Sequence, residues 1–217
     1  MVEQQATPVY MSRLRLFRWL VRLSTLGLPT GPHLTRYYLY RRLSRLSIPR
    51  HPEGPILSIS QSTRLCGILG LPDDQVVEAN YPEYRMDRLP FADESFAYVL
   101  SDQVLEHIET DPSQAIGESF RVLKKGGVAV HTTCFLNPVH LAPGDFWRFT
   151  PSALALLSKN FSRIIDCGGW GNQWIGLMLV LGLRNAPVPH ATWHPFHRLA
   201  TLNHPNWPFI TWIVAQK

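Results

Sequence analysis

Cysteine is scarce in this chain and poorly placed for pairing. Cys66, Cys134 and Cys167 are the whole complement, far apart and without a CxxC pair. That argues against a disulfide framework or a zinc ribbon and fits free thiols in a reducing compartment. Charge is thin as well, at 17% of residues against 45% apolar, and no long stretch is low in complexity. Such a composition describes a folded chain rather than a disordered one. Long apolar runs are missing. "WIGLMLVLGL" is nearly pure apolar but far too short to span a bilayer. A signal peptide is not expected, because arginines interrupt the first apolar residues and no small-residue cleavage site follows. A cytoplasmic protein is the expectation. The nine histidines show no HExxH or related spacing, so no metal is expected.

With 217 residues, the chain is long enough for one sizeable domain with a real core. Its net charge of +5 is unevenly spread: residues 1–50 hold nine Arg and one acid, Glu3. The other 167 residues carry 12 Lys and Arg against 15 Asp and Glu, a formal −3. The expected organisation is therefore a pair of basic N-terminal helices over 1–50 and a body over 51–217. "MSRLRLFRWLVRLSTLGLP" reads as a helix stopped by Gly27 and Pro29. In it Arg15, Arg18 and Arg22 recur at helical spacing among Leu16, Phe17, Leu20 and Leu23. Residues 11–26 could lie on the anionic inner face of a membrane, or form a lid with solvated arginines. "LTRYYLYRRLSRLSIP" is a second basic helix ending near Pro49. The acidic body lacks interleaved basic and aromatic residues, so no nucleic acid partner is expected.

Four short apolar runs read as buried strands: "GPILSIS" (54–60), "QVVEANYP" (75–82), "SFAYVLS" (95–101) and "GVAVHTTCF" (127–135). Between the last two, Thr110 or Asp111 caps a helix with Pro112 in its first turn. Ile116, Phe120 and Leu123 form its apolar face, Lys124 and Lys125 suit its negative end, and Gly126 or Gly127 stops it. Thr150 and Pro151 start another helix with Leu154, Leu157 and Phe161 facing inward. "SRIIDCGG" and "PFITWIVAQK" read as further strands. Alternating strands and helices imply an α/β fold, doubly wound, with a mostly parallel sheet. Residues 170–207, rich in Pro, His and Trp, break the pattern and read as an insertion that builds a pocket or a docking surface.

Ligands bind beyond the carboxyl ends of such strands. Ser101, Asp102 and Gln103 follow the third strand and should line that crevice, with Glu106 and His107 a few residues on. These residues carry a resemblance. An acid, Asp87, precedes "LPF"; Phe96 follows an acidic turn; then come the pair Glu106–His107, "RVLKKGG", and "GDFWRFTPSALALL" downstream. Over residues 54–167 this resembles the class I S-adenosylmethionine-dependent methyltransferases of the type 11 group. The resemblance implies a Rossmann-like fold with an antiparallel last strand, S-adenosyl-L-methionine as cofactor, and a small-molecule acceptor such as a sugar, a lipid-linked intermediate or a natural product. It also implies cofactor contacts from Ser58, Ser60, Glu78, Asp87, Ser101, Asp102, Gln103 and His107. His140 and Asp145 are the expected base or orienting pair, and Trp147 and Arg148 the expected substrate contacts. Asp145 could instead pair with Arg148 and fix the loop.

One departure stands out. The family turn after the first strand is acidic and Gly-rich, of the type D/E-x-G-x-G-x-G. Here it reads "ILSISQSTRLCGILG", with Ser58 in the acid's place and only Gly67 and Gly70 following. An alternative is therefore a catalytically degenerate relative that keeps the fold and binds a partner or a membrane through its N-terminal helices.

Overall fold

The computed structural model describes residues 9–141 and 143–217, leaving the side chains of 9–14, 16 and 17 aside. In chain order the elements are α1 (Val9–Ser24), β1 (Thr30–His33), α2 (Leu34–Leu43), β2 (Ile56–Ile59), α3 (Arg64–Leu69), β3 (Val76–Ala79), β4 (Phe96–Asp102), α4 (Pro112–Val122), β5 (Leu123–Cys134), α5 (Pro151–Leu157), β6 (Arg163–Trp170), α6 (Gln173–Val180), β7 (Pro187–Pro189), α7 (Pro195–Thr201) and β8 (Ile210–Gln216). Six strands form the main sheet in the order β3-β2-β4-β5-β8-β6. β3, β2, β4 and β5 run parallel, while β8 pairs antiparallel with both β5 and β6. The mixed α/β sheet with an antiparallel last strand is the architecture expected.

Side chains alternate across the sheet, and both faces are covered. One face sets Ile56, Tyr98, Leu100, Val130 and Val214 against α2, α3 and the 170–207 segment. The other sets Leu57, Ile59, Val99, Ala129 and Ile213 against Ala115 and Ile116 of α4 and Leu154 of α5. The two helix starts form as their sequences dictate. Asp111 accepts a hydrogen bond from the Ser113 amide and Thr150 from the Ala153 amide, each followed by proline at the first helical position.

Three features differ from expectation. α4 stops at Val122 rather than at the glycines, and Leu123 turns extended (ψ 138°) to begin β5. Lys124 and Lys125 therefore lie in a strand, and Arg121 is the basic residue of the last helical turn. α2 is not a peripheral element: Leu34, Thr35, Tyr37, Leu39, Tyr40 and Leu43 are all buried in the body's core. The 170–207 segment folds as α6, β7 and α7, and β7 pairs with the unforeseen β1. Tyr37 ties the two regions together, its hydroxyl lying 3.1 Å from Nδ1 of both His190 and His197. The segment leaves the sheet at Gly171, where any Cβ would stand 2.1 Å from the Trp207 carbonyl oxygen.

Two of the quoted stretches of the sequence meet physically. Arg121, from "RVLKKGG", donates to the backbone oxygens of Leu89 (3.0 Å) and Phe91 (2.8 Å). Glu118 accepts from both Arg121 (2.7 Å) and the Leu89 amide (2.7 Å). The "LPF" loop is thus clamped to α4. It carries the chain from β3 at the sheet edge across to β4 on the far side of β2. That reversal opens a crevice at the carboxyl ends of β2 and β4.

Candidate functional site

A cavity of about 440 Å³ opens at this switch point. Its wall comes from Ser60 and Gln61 after β2, Asn80 and Tyr81 after β3, and Gln103, Val104 and His107 after β4, with Asp87 below the "LPF" loop and Gly144 and Phe146 after β5. Its size lies in the range of small-ligand sites, and its wall mixes apolar and polar groups as such sites do.

The rim does without glycine by accepting strain. Ser60, Gln61 and Gln103 all adopt left-handed backbone, with φ of 50°, 62° and 61°, a conformation costing a non-glycine residue of order 1 kcal/mol. Hydrogen bonds hold it in place. The Ser60 amide donates to Ala79 O (3.0 Å), Gln61 N–H to Asn80 Oδ1 (2.8 Å), and Gln103 N–H to Thr132 O (2.9 Å). Asn80 Nδ2 donates to Glu78 Oε2 (2.9 Å), and Thr63 donates to the other oxygen of Glu78. These bonds hold the exposed Glu78 carboxyl below its usual range, Thr63 more than Asn80. Glu78 therefore splints the turn after β2 instead of facing the cavity.

The expected cofactor residues divide into two groups. Ser60, Asp87, Gln103 and His107 line the cavity. Ser58, Glu78, Ser101 and Asp102 do not. Ser58 is fully buried against Thr63, and Ser101 is fully buried with its hydroxyl 2.8 Å from His131 Nδ1. Asp102 is turned away by Tyr40 (2.5 Å) and Thr132 (2.6 Å), with Arg36 at 3.4 Å. Asp87 is itself engaged by Arg85 and Thr110, which hold its pKa down at about 2, Arg85 contributing most. Gln61, Asn80 and Phe146 were not anticipated. Asn80 carried a faint signal, standing one residue past a strand that ends at the crevice.

At one end of the cavity lies a second cluster. Glu106 is completely buried; its Oε2 accepts from Thr133 (2.8 Å), while Oε1 has no hydrogen-bond partner among the described residues. Burial pushes its carboxyl pKa up. His107 points Nδ1 at the Gly144 carbonyl. A carbonyl only accepts, so the hydrogen sits on Nδ1 and the lone pair on Nε2. His140 stacks edge-on to His107 with ring centroids 5.0 Å apart.

Asp145 stands behind His140. Arg148 grips both of its oxygens, holding the carboxyl far below its usual range, and the His140 amide donates to it at 2.9 Å. His140 Nδ1 lies 3.2 Å from Asp145 and 3.1 Å from the Asn137 amide nitrogen. Asn137 Oδ1 accepts from Arg184 (3.1 Å), so its amide nitrogen donates to His140 Nδ1, and the hydrogen of the neutral ring sits on Nε2. Nε2 of His140 lies 4.0 Å from Glu106 Oε1. Asp145 is thus both paired with Arg148 and placed to orient His140. Trp147 lies outside the cavity wall and donates its indole hydrogen to Ile108 O (2.8 Å).

Residues 69–131 match the family model described as a methyltransferase domain. The match covers 63 of the 217 residues, from the end of α3 through most of β5. No curated protein matches the sequence. Solved structures share the fold at low identity. Phosphoethanolamine N-methyltransferase 2 of Haemonchus contortus, in complex with S-adenosyl-L-methionine, is 14% identical with a TM-score of 0.54, covering 99% of this chain and 58% of that one. An S-adenosylmethionine-dependent methyltransferase of Mesorhizobium loti is 11% identical with a TM-score of 0.51, covering 84% and 98%. The cyclase SpnF is 14% identical with a TM-score of 0.51, covering 97% of each chain. At such identities the likeness is one of fold, and SpnF shows that the fold also serves another reaction.

Proposed function

We propose that the protein is a methyltransferase that moves the methyl group of S-adenosyl-L-methionine to a small-molecule acceptor bound beside His107 and His140. One observation carries this reading: the cavity at the switch point remains open despite the missing glycines, and His107 on its wall stacks against His140. The cavity fits the cofactor in size, and the left-handed turn at Ser60 and Gln61 brings backbone to its edge in place of glycine. Asn80, Asp87, Gln103 and the Ser60–Gln61 backbone are the groups that would hold it. When bound, the cofactor supplies an electrophilic methyl on a sulfonium, which an acceptor lone pair displaces in line. The chain's own part is positioning and exclusion of water. With its ring hydrogen moved to Nδ1, beside Asp145, His140 receives the acceptor's proton at Nε2. Asp145 stays ionised and orients, and Arg148 fixes Asp145 rather than touching substrate.

Calorimetry with the demethylated cofactor tests this. Micromolar binding by the wild-type protein, retained in His140→Ala while turnover falls about 10²-fold or more, is the expected result. No binding at millimolar ligand leaves the degenerate binding protein as the better description.

A specific observation favours an added membrane contact. α1 exposes Trp19, Leu20 and Leu23, and α6 exposes Trp174, Leu177 and Val180. Arg18 lies against Gly182, just past the end of α6, so the two helices share one surface. The side chains of Leu16 and Phe17, expected on the same helix, lie outside the described residues. No helix among the described residues is long and apolar enough to cross a membrane.

A further inference from the structure

We infer that Glu106, His107 and His140 bind one divalent transition-metal cation at the acceptor end of the cavity. One ligand atom from each of the three lies within 4.8 Å of the others. Atoms sharing an ion at Zn–N or Zn–O distances sit at most about 4.2 Å apart, so a small rotation of the partly exposed His140 closes the set. Spacing along the chain hides the site: two ligands are adjacent after β4, and the third comes 33 positions later, after β5.

Three further features point to an ion. The Glu106 Oε1 is fully buried and lacks a partner, and a buried carboxylate oxygen left so is costly. His107 already has its Nδ1 hydrogen on an oxygen acceptor, Gly144 O, and Asp145 stands 3.2 Å from His140 Nδ1, ready to accept that ring's hydrogen once an ion takes Nε2. Metal-bound histidines show this outer arrangement, which frees Nε2 and fixes the ring. His107 also lines the cavity, so an ion there would face whatever the cavity holds. Two imidazoles and one carboxylate suit Zn²⁺, Fe²⁺ or Mn²⁺ and leave coordination positions open.

What the ion does rests on the methyl-transfer reading. A hydroxyl oxygen of the acceptor coordinated to it would lose its proton more readily, to solvent, and become the nucleophile. His140 is then a ligand, and the acceptor class narrows to alcohols.

The test uses the full chain, stripped with a chelator and dialysed. Zn²⁺ is titrated by calorimetry and Co²⁺ by visible absorption. The expected result is one ion per chain, weakened at least about tenfold by His140→Ala and by Glu106→Gln, and about 10–100-fold by Asp145→Asn. Absence of binding, or equal binding by wild type and His140→Ala, overturns the site. His140 sits on a partly exposed loop, so its variant decides the matter even if Glu106→Gln fails to fold. Binding of the demethylated cofactor in the presence of chelator is measured separately. Its loss defeats the methyltransferase reading and leaves the ion result standing.

Discussion

At His131 the chain places a titratable ring where no charge can be supported. The residue lies inside β5, fully buried, with Nε2 unpartnered among the described residues, and burial alone lowers its pKa to about 3. Because the folded value lies below the usual 6.5, the unfolded chain binds the extra proton first as pH falls. Stability should hold above pH 6.5 and decline towards pH 3, by about 3 kcal/mol at pH 4. His131→Asn can still bond Ser101 but does not titrate. Its denaturant midpoint should be lower than wild type at pH 7 and much flatter between pH 6.5 and 4; equal slopes in the two proteins would refute the assignment. Asp87 acts in a separate window, its contribution present above about pH 4 and fading towards pH 2. His131 falls within the apolar run "GVAVHTTCF", and its burial follows from that run forming β5. Asp102 was not legible as a residue turned from the crevice, because the hydroxyl that turns it belongs to Tyr40, 62 positions earlier. Glu78 likewise was expected to contact the cofactor, yet Thr63 after β2 and Asn80 after β3 take up its carboxylate.

Among the elements, the strands and the two proline-started helices could be read directly from apolar runs and capping residues. The end of α4 could not. A lysine pair followed by a glycine pair looks like a helix terminus, but Leu123 has more to gain as a buried strand residue opposite Phe96. The clamp of Arg121 on the "LPF" loop joins those two stretches: one guanidinium satisfies the Leu89 and Phe91 carbonyls. Arg121→Ala should cost about 2 kcal/mol, since it leaves those carbonyls and Glu118 without their charged donor. The urea midpoint measures this, and a change under about 0.5 kcal/mol would place the loop's support elsewhere. Binding of the demethylated cofactor should weaken in the same variant, because Asp87 descends from that loop.

For the whole molecule, the uneven charge of the sequence finds its counterpart in the arrangement of α1, α2 and the 170–207 segment. α2 is committed to the core, so its buried face cannot serve a surface. α1 and α6 are different: only Ile175 of α6 is fully buried, while Trp174, Leu177 and Val180 stand out in solvent. The apolar ten of the sequence is thus divided: Ile175, Met178, Leu179, Leu181 and Leu183 pack on the core, while Trp174, Leu177 and Val180 form an exposed face beside a helix whose Arg15 and Arg22 are exposed too. Exposed aromatic and leucine side chains flanked by arginine suit an anionic lipid surface, where insertion of apolar groups and attraction of cations add together. Sedimentation with vesicles containing phosphatidylserine should carry the full chain down, and vesicles of phosphatidylcholine alone should carry much less. Trp19→Ala combined with Trp174→Ala should reduce binding about tenfold or more, from the loss of two large apolar contacts. Raised salt should weaken the residual attraction. Equal binding to both lipids, or no effect of the double variant, would show that this face serves something other than a membrane.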